Sequence, residues 1–217
     1  MIHRTWLQIV LGLLVLLLSA GMAAGQQPVL DKDYRLVVPV QPSEGSKKIE
    51  VMEFFYYGCP HCYDLEPALK AWLKRLPPDV EFRRQPAVFS ENWIPLTKTF
   101  YTLDAMDLIP KLGDKVYSAV HDEGIGLSDE GMMIKWVSQQ GIDPAKFQET
   151  YKSFAVQNKV QRAIQMTRNY QVRGTPSIVV AGKYLTSPSM TGSFEKFFQV
   201  VDQLIEMARK DAAGKKS

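Results

Sequence analysis

The chain has 217 residues, 46% hydrophobic and 23% charged, enough for one globular domain with a core or for one domain carrying an insertion. That composition excludes a disordered chain, a collagen-like chain and a polytopic membrane protein. The net charge of +3, about +2 once the first 25 residues and their Arg4 are set aside, gives no basis for nucleic-acid binding. Cys59 and Cys62 are the only two cysteines, so there is no disulfide framework, and any thiol chemistry rests on that pair.

Residues 1–25 read as a secretory signal peptide. Arg4 is followed by the apolar run Leu7–Leu18 and then by small residues around Ala23 and Gly25. Twelve residues of helix cover roughly 18 Å, short of the ~30 Å hydrocarbon layer, which favours cleavage over anchoring. The mature protein is expected to be exported, to a compartment where thiols can stay oxidised.

Residues 26–45 are punctuated by proline and charge, with one short run, Leu36–Val40, that suits an edge strand. Ile49–Tyr57 (IEVMEFFYY) is dense in β-branched and aromatic residues and predicts a strand buried on both faces. From Cys59 to Leu76 the apolar positions Cys62, Leu65, Leu69, Trp72, Leu73 and Leu76 follow a helical stripe, so the helix begins at the cysteines. Val80–Phe89 predicts a second strand, and the β-α-β order predicts a parallel pair.

Between Trp93 and about Asn169 only helical patterns appear. They include Met132, Met133 and Trp136 as core positions, and the stripe Phe147, Tyr151, Phe154 behind the capping pair Asp143-Pro144. Strand character returns at Ser177–Val180. A turn at Gly182-Lys183 leads to Tyr184-Leu185, and an amphipathic helix closes the chain from about Ser193 to Lys210. The fold expected is α/β, with 26–90 and 170–217 forming one unit and 91–169 a helical insertion.

Two cysteines two residues apart at a helix start can close a small redox-active ring, with the outer sulfur activated. Free backbone N–H groups and the positive end of the helix dipole favour a thiolate at Cys59, and the His61 imidazole adds a donor or a positive charge. Pro60 suits the first turn because it has no N–H to lose. Cys62, deeper and less activated, is the partner that resolves a mixed disulfide. Zinc or copper binding, with His61 or His121 as a further ligand, is weaker because no second cysteine pair exists. A purely structural disulfide closing so short a loop stabilises little. His121 otherwise reads as an ordinary helix-end histidine, and Pro67 as a shaping proline within the helix.

The segment FFYYGCPHCYDLEP resembles the active site of the DsbA family of thioredoxin-like proteins. The leader, the strand before the pair, the long helical stretch, Gly174-Thr175-Pro176 before a strand and the last helix follow in that family's order, over nearly all of the mature chain. The resemblance implies a thioredoxin fold with an inserted all-helical domain. It also implies a thiol:disulfide oxidoreductase that introduces disulfide bonds into newly exported proteins, with no cofactor beyond the Cys59–Cys62 disulfide.

By the same resemblance, Pro176 is the family's cis-proline, and Thr175 offers backbone groups to a substrate strand. Glu53, six residues before Cys59, is the buried acid that passes a proton to or from Cys62, with burial raising its pKa. Thr175 departs from the valine of the best-known enterobacterial member and is similar to the threonine of isomerase-type relatives, which leaves a reductase or isomerase as the alternative. A non-redox holdase or a copper carrier is the further alternative. The implied partners are unfolded exported proteins with reduced cysteines and a quinone-linked DsbB-type membrane oxidase that accepts the electrons. The chain is expected to be a monomer, with no nucleic acid and no metal.

Overall fold

The computed structural model describes residues 27–43 and 47–214. The expected signal peptide and the basic end Lys215-Lys216-Ser217 lie outside them. Among the described residues no helix is long and apolar enough to cross a membrane.

Five strands form one mixed sheet: β1 (Arg35–Leu36), β2 (Ile49–Phe55), β3 (Val80–Pro86), β4 (Ser177–Val180) and β5 (Tyr184–Thr186), in the order β1-β5-β4-β2-β3. β2 pairs with β3 in parallel and with β4 antiparallel, so the densest apolar strand is interior, as its pattern predicts. Helix α1 (Pro60–Leu73) connects β2 to β3, and α8 (Phe194–Gly214) closes the chain. Both pack on one face of the sheet, where Leu65, Leu69 and Trp72 of α1 meet Phe197, Val201 and Leu204 of α8 over Val51 and Ile178. The opposite face buries Met52, Phe54 and Val179 against Met166, Tyr170 and Val172.

The expected run of helices is present between β3 and β4: α2 (Ile94–Ala105), α3 (Ile109–His121), α4 (Glu130–Gln139), α5 (Pro144–Lys152) and α6 (Phe154–Asn169). Their core includes Leu103, Leu112, Val116, Val137, Phe147 and Val160, and it continues into Phe55, Tyr57 and Cys62. A helix α7 (Pro188–Thr191) follows β5. A sheet with a helix at the end of its second strand, interrupted by an all-helical insertion, is the thioredoxin fold with inserted helices that the sequence led us to expect.

Several local expectations need correction. The edge strand predicted at Leu36–Val40 is only Arg35–Leu36, because the chain turns through a cis Val38–Pro39 bond and leaves Val38 and Val40 exposed. Met132 is exposed while Met133 and Trp136 are buried. Phe154 is 79% exposed because Ser153 ends α5 and caps α6 through its Oγ, breaking the stripe that buries Phe147 and Tyr151. The β4–β5 turn centres on Ala181 and Gly182, with φ of 52° and 63°. A Cβ at Gly182 would sit 2.0 Å from the Gln41 carbonyl oxygen, so glycine is required there.

Candidate active site

β2 ends at Phe55, a turn through Tyr57 and Gly58 follows, and the chain enters α1 with Cys59 at the N-cap and Pro60 at the first helical position. The Cys59 carbonyl accepts from the N–H groups of Cys62 and Tyr63 at 3.1 and 3.2 Å, closing the first turn around the pair. Helical spacing then turns Cys62 inward, where it is fully buried, and leaves Cys59 partly exposed. Both cysteines are free thiols here.

The cis Thr175–Pro176 bond brings the loop before β4 against Cys59. Cys59 Sγ lies 3.4 Å from the Thr175 carbonyl oxygen, to which the protonated thiol donates. The Cys59 thiol is lowered to about 5, first by a hydrogen bond from Cys62, against burial, and then by the Thr175 side chain and the N–H groups of Cys62 and His61. Burial pushes Cys62 well above the ordinary thiol range, and its bond to Cys59 adds to the effect. The two sulfurs are therefore set apart by their surroundings.

The activation expected of the His61 imidazole is not what the geometry shows. That side chain is 77% exposed, its Nδ1 is 4.0 Å from Asp64, and the contribution of His61 comes through its backbone N–H. Pro60, exposed, serves the helix start as anticipated.

Glu53 is fully buried on the face of β2 that looks toward α1. Burial raises it to about 7, opposed by the Arg84 cation and assisted by Glu66. Arg84 Nε lies 3.2 Å from Glu53 Oε2, an ion contact without hydrogen-bond alignment, while its NH2 group donates to Glu66 at 2.6 Å. The sequence reading missed Arg84 and Glu66. Glu66 could have been found as the residue one helical turn beyond Cys62, on the same face. Arg84 carried no sequence signal, because only strand register places it opposite Glu53.

His121 was also underread. As the last residue of α3, its Nε2–H donates to the Tyr57 carbonyl at 2.8 Å, and its ring stacks on Tyr63 with centroids 5.2 Å apart. It binds the insertion to the strand end that carries Cys59. Among the described residues no group of three or more His, Cys, Asp or Glu side chains is placed to hold a metal ion.

Two hollows flank the pair. A groove of about 600 Å³ runs from Thr175 and Pro176 past His61 to Met190 and Phe194. A cleft of about 610 Å³ between α1 and α3 has Glu66 and Tyr117 in its wall.

An accessible, acidic thiol backed by a buried, reluctant one at the end of a thioredoxin sheet makes this molecule a thiol:disulfide oxidoreductase. A family model described as the DSBA-like thioredoxin domain matches residues 50–199. The thiol:disulfide interchange protein DsbA of Burkholderia cepacia is 36% identical over 201 residues, which cover 89% of this chain and 95% of that one. The DsbA of Bordetella parapertussis is 42% identical over 180 residues, 82% of this chain and 86% of that one. The crystal structure of Pseudomonas aeruginosa DsbA superposes with a TM-score of 0.81 at 36% identity, covering 85% of this chain and 96% of that one.

The chain belongs to the DsbA family of thioredoxin-like proteins, and it is a disulfide-introducing oxidoreductase that works through a redox-active cysteine pair.

Proposed function

We propose that Cys59 is the sulfur attacked by client proteins and that Cys62 leaves and later returns. The observation that carries this is the contrast between a partly exposed Cys59 with a pKa of about 5 and a fully buried Cys62 whose pKa is raised. A client thiolate attacks Cys59 Sγ of the oxidised pair. The Cys59–Cys62 bond breaks, a client–Cys59 bond forms, and Cys62 departs as a thiolate that takes a proton from Glu53. A second client thiolate then attacks the client sulfur, and Cys59 departs as a stable thiolate. The client dithiol loses two electrons and the enzyme disulfide gains them.

Glu53 suits the proton step because a carboxyl near 7 both gives and accepts a proton at neutral pH. Arg84 and Glu66 position it. Thr175 and the cis Pro176 present backbone groups to an extended client segment, and the N–H of His61 with the helix start at Pro60 steadies the Cys59 thiolate. The thioredoxin-like unit, 26–90 with 170–217, carries the chemistry, and the helical unit 91–169 covers the inner side of the pair.

The protein acts as a monomer in the periplasm on unfolded exported proteins with reduced cysteines. It passes their electrons to a quinone-linked DsbB-type membrane oxidase. The leader pattern and the family resemblance support this assignment.

The test is oxidation of a reduced, unfolded protein. Cys59→Ser is expected to abolish it, and Cys62→Ala to accumulate mixed disulfides; retained activity in the first variant sinks the proposal. Thr175 keeps the isomerase reading in view. The equilibrium of the pair with glutathione buffers decides between them, a couple well on the oxidising side supporting the oxidase and a reducing one the reductase or isomerase.

A further inference from the structure

The groove beside Cys59 carries an excess of positive charge. Lys32, Arg35 and Arg173 line it together with a single carboxylate, Asp31. Lys32 has the buried Asp33 nearby, but Lys196 already pairs with that carboxylate at 2.8 Å. Arg35 and Arg173 have no ion-pair partner among the described residues. Apart from the His61 imidazole, the rest of the lining is hydroxyl, backbone or apolar, including Pro176, Met190 and Phe194, and supplies no second acid. The cationic band continues past Arg173, which shares an adjoining hollow with Arg168. These cationic side chains share one groove with His61 and Thr175, and Thr175 touches Cys59, so the groove opens beside the reacting sulfur.

We infer that this groove selects client segments that carry a carboxylate within a few residues of the reacting cysteine. Guanidinium groups with no carboxylate of their own attract an acidic chain, orient it through forked hydrogen bonds, and repel a basic one. The preference acts on the attack at Cys59, so it appears in the rate at which the client thiolate forms the mixed disulfide. It rests on the assignment of Cys59 as the attacked sulfur.

The experiment uses the oxidised full-length mature protein and two peptide dithiols that differ only in having Glu or Lys two residues from the first cysteine. Reduction of the Cys59–Cys62 disulfide is followed by stopped flow, with neutral dithiothreitol as the reference reductant for each protein. Comparing the Glu-to-Lys rate ratio between wild type and Arg35→Gln/Arg173→Gln cancels the peptides' own thiol reactivity. At low salt that ratio is expected to be more than tenfold higher in wild type, because each arginine at ~7 Å in near-aqueous surroundings favours Glu by a factor of roughly two and disfavours Lys by the same factor, and to shrink at ~0.5 M salt. Arg35→Lys/Arg173→Lys is expected to keep most of the preference, which separates charge from fold. A ratio that is equal in wild type and the Gln variant, or indifferent to salt, overturns the inference. Failure of dithiothreitol to reduce the pair, or reaction of Cys59→Ser with the peptides, would instead remove the Cys59 assignment beneath it.

Discussion

Glu53 and Arg84 are partners in the parallel β2–β3 ladder, and the register that joins their backbones also brings their side chains to 3.2 Å in a space sealed from water. Among the described residues Arg84 is the one cation that meets both Glu53 and Glu66, 2.6 Å from the latter. Its removal leaves the buried Glu53 without a cation and Glu66 with only Lys70, 3.9 Å away. Arg84→Met is therefore expected to cost about 3–5 kcal/mol of stability at neutral pH and less under acid conditions. Urea denaturation at pH 5 and pH 8 checks this, and an equal loss at both values would contradict it.

Glu53 makes the stability of the protein depend on pH. Its folded pKa is raised from 4.5 to about 7 by burial, so the folded state holds this proton more tightly than the unfolded chain. The stabilisation is complete below about 4.5 and is lost as pH rises through 7, a change on the order of 3 kcal/mol. Glu53→Gln is expected to abolish that loss, gaining on wild type between pH 5 and 8. The same variant is expected to slow the Cys62 proton step, seen as a lower rate of client oxidation with the Cys59 titration little changed.

Cys59 works with the opposite sign. Its folded pKa of about 5 lies below the thiol reference of 9.0, so the reduced folded state is favoured above pH 9. That advantage declines as pH falls from 9 and is gone below about 5. The unfolding-midpoint difference between reduced wild type and Cys59→Ser is expected to shrink over this interval. Thiolate absorbance near 240 nm should titrate close to pH 5 and vanish in Cys59→Ser.

His121 ties the insertion to the strand end before Cys59 through the Tyr57 carbonyl, 2.8 Å away, and through its stack on Tyr63. His121→Ala is expected to cost about 1–2 kcal/mol, since it leaves that carbonyl without its donor. Tyr63→Phe keeps the ring stack, removes surface hydrogen bonds of its hydroxyl with Asp122 and Ser118, and is expected to change stability by less than about 0.5 kcal/mol. Denaturant midpoints of the two variants give the comparison.

Much of the site is local in sequence and was legible there. Cys59-Pro60-His61-Cys62 follows an apolar strand and opens a helical stripe, so the periodicity alone fixes which sulfur faces out and which faces in. Glu53 was legible as an acid within a run too apolar to stand at a surface. The strand at Leu36–Val40 and the burial of Met132 and Phe154 were misread because short patterns do not reveal a turn or a new helix cap.

By itself the sequence determined the reactive pair, the elements that carry it and the helical character of the stretch between β3 and β4, because each depends on neighbours within a turn or two. Only the tertiary structure decided how the sulfurs are tuned. Thr175 lies 116 residues from Cys59, Arg84 comes from an adjacent strand and His121 from the insertion. Electrostatics and hydrogen bonding act over a few ångströms of space, whatever the separation along the chain, so folding had to bring these groups together before their effect on the cysteines could be read.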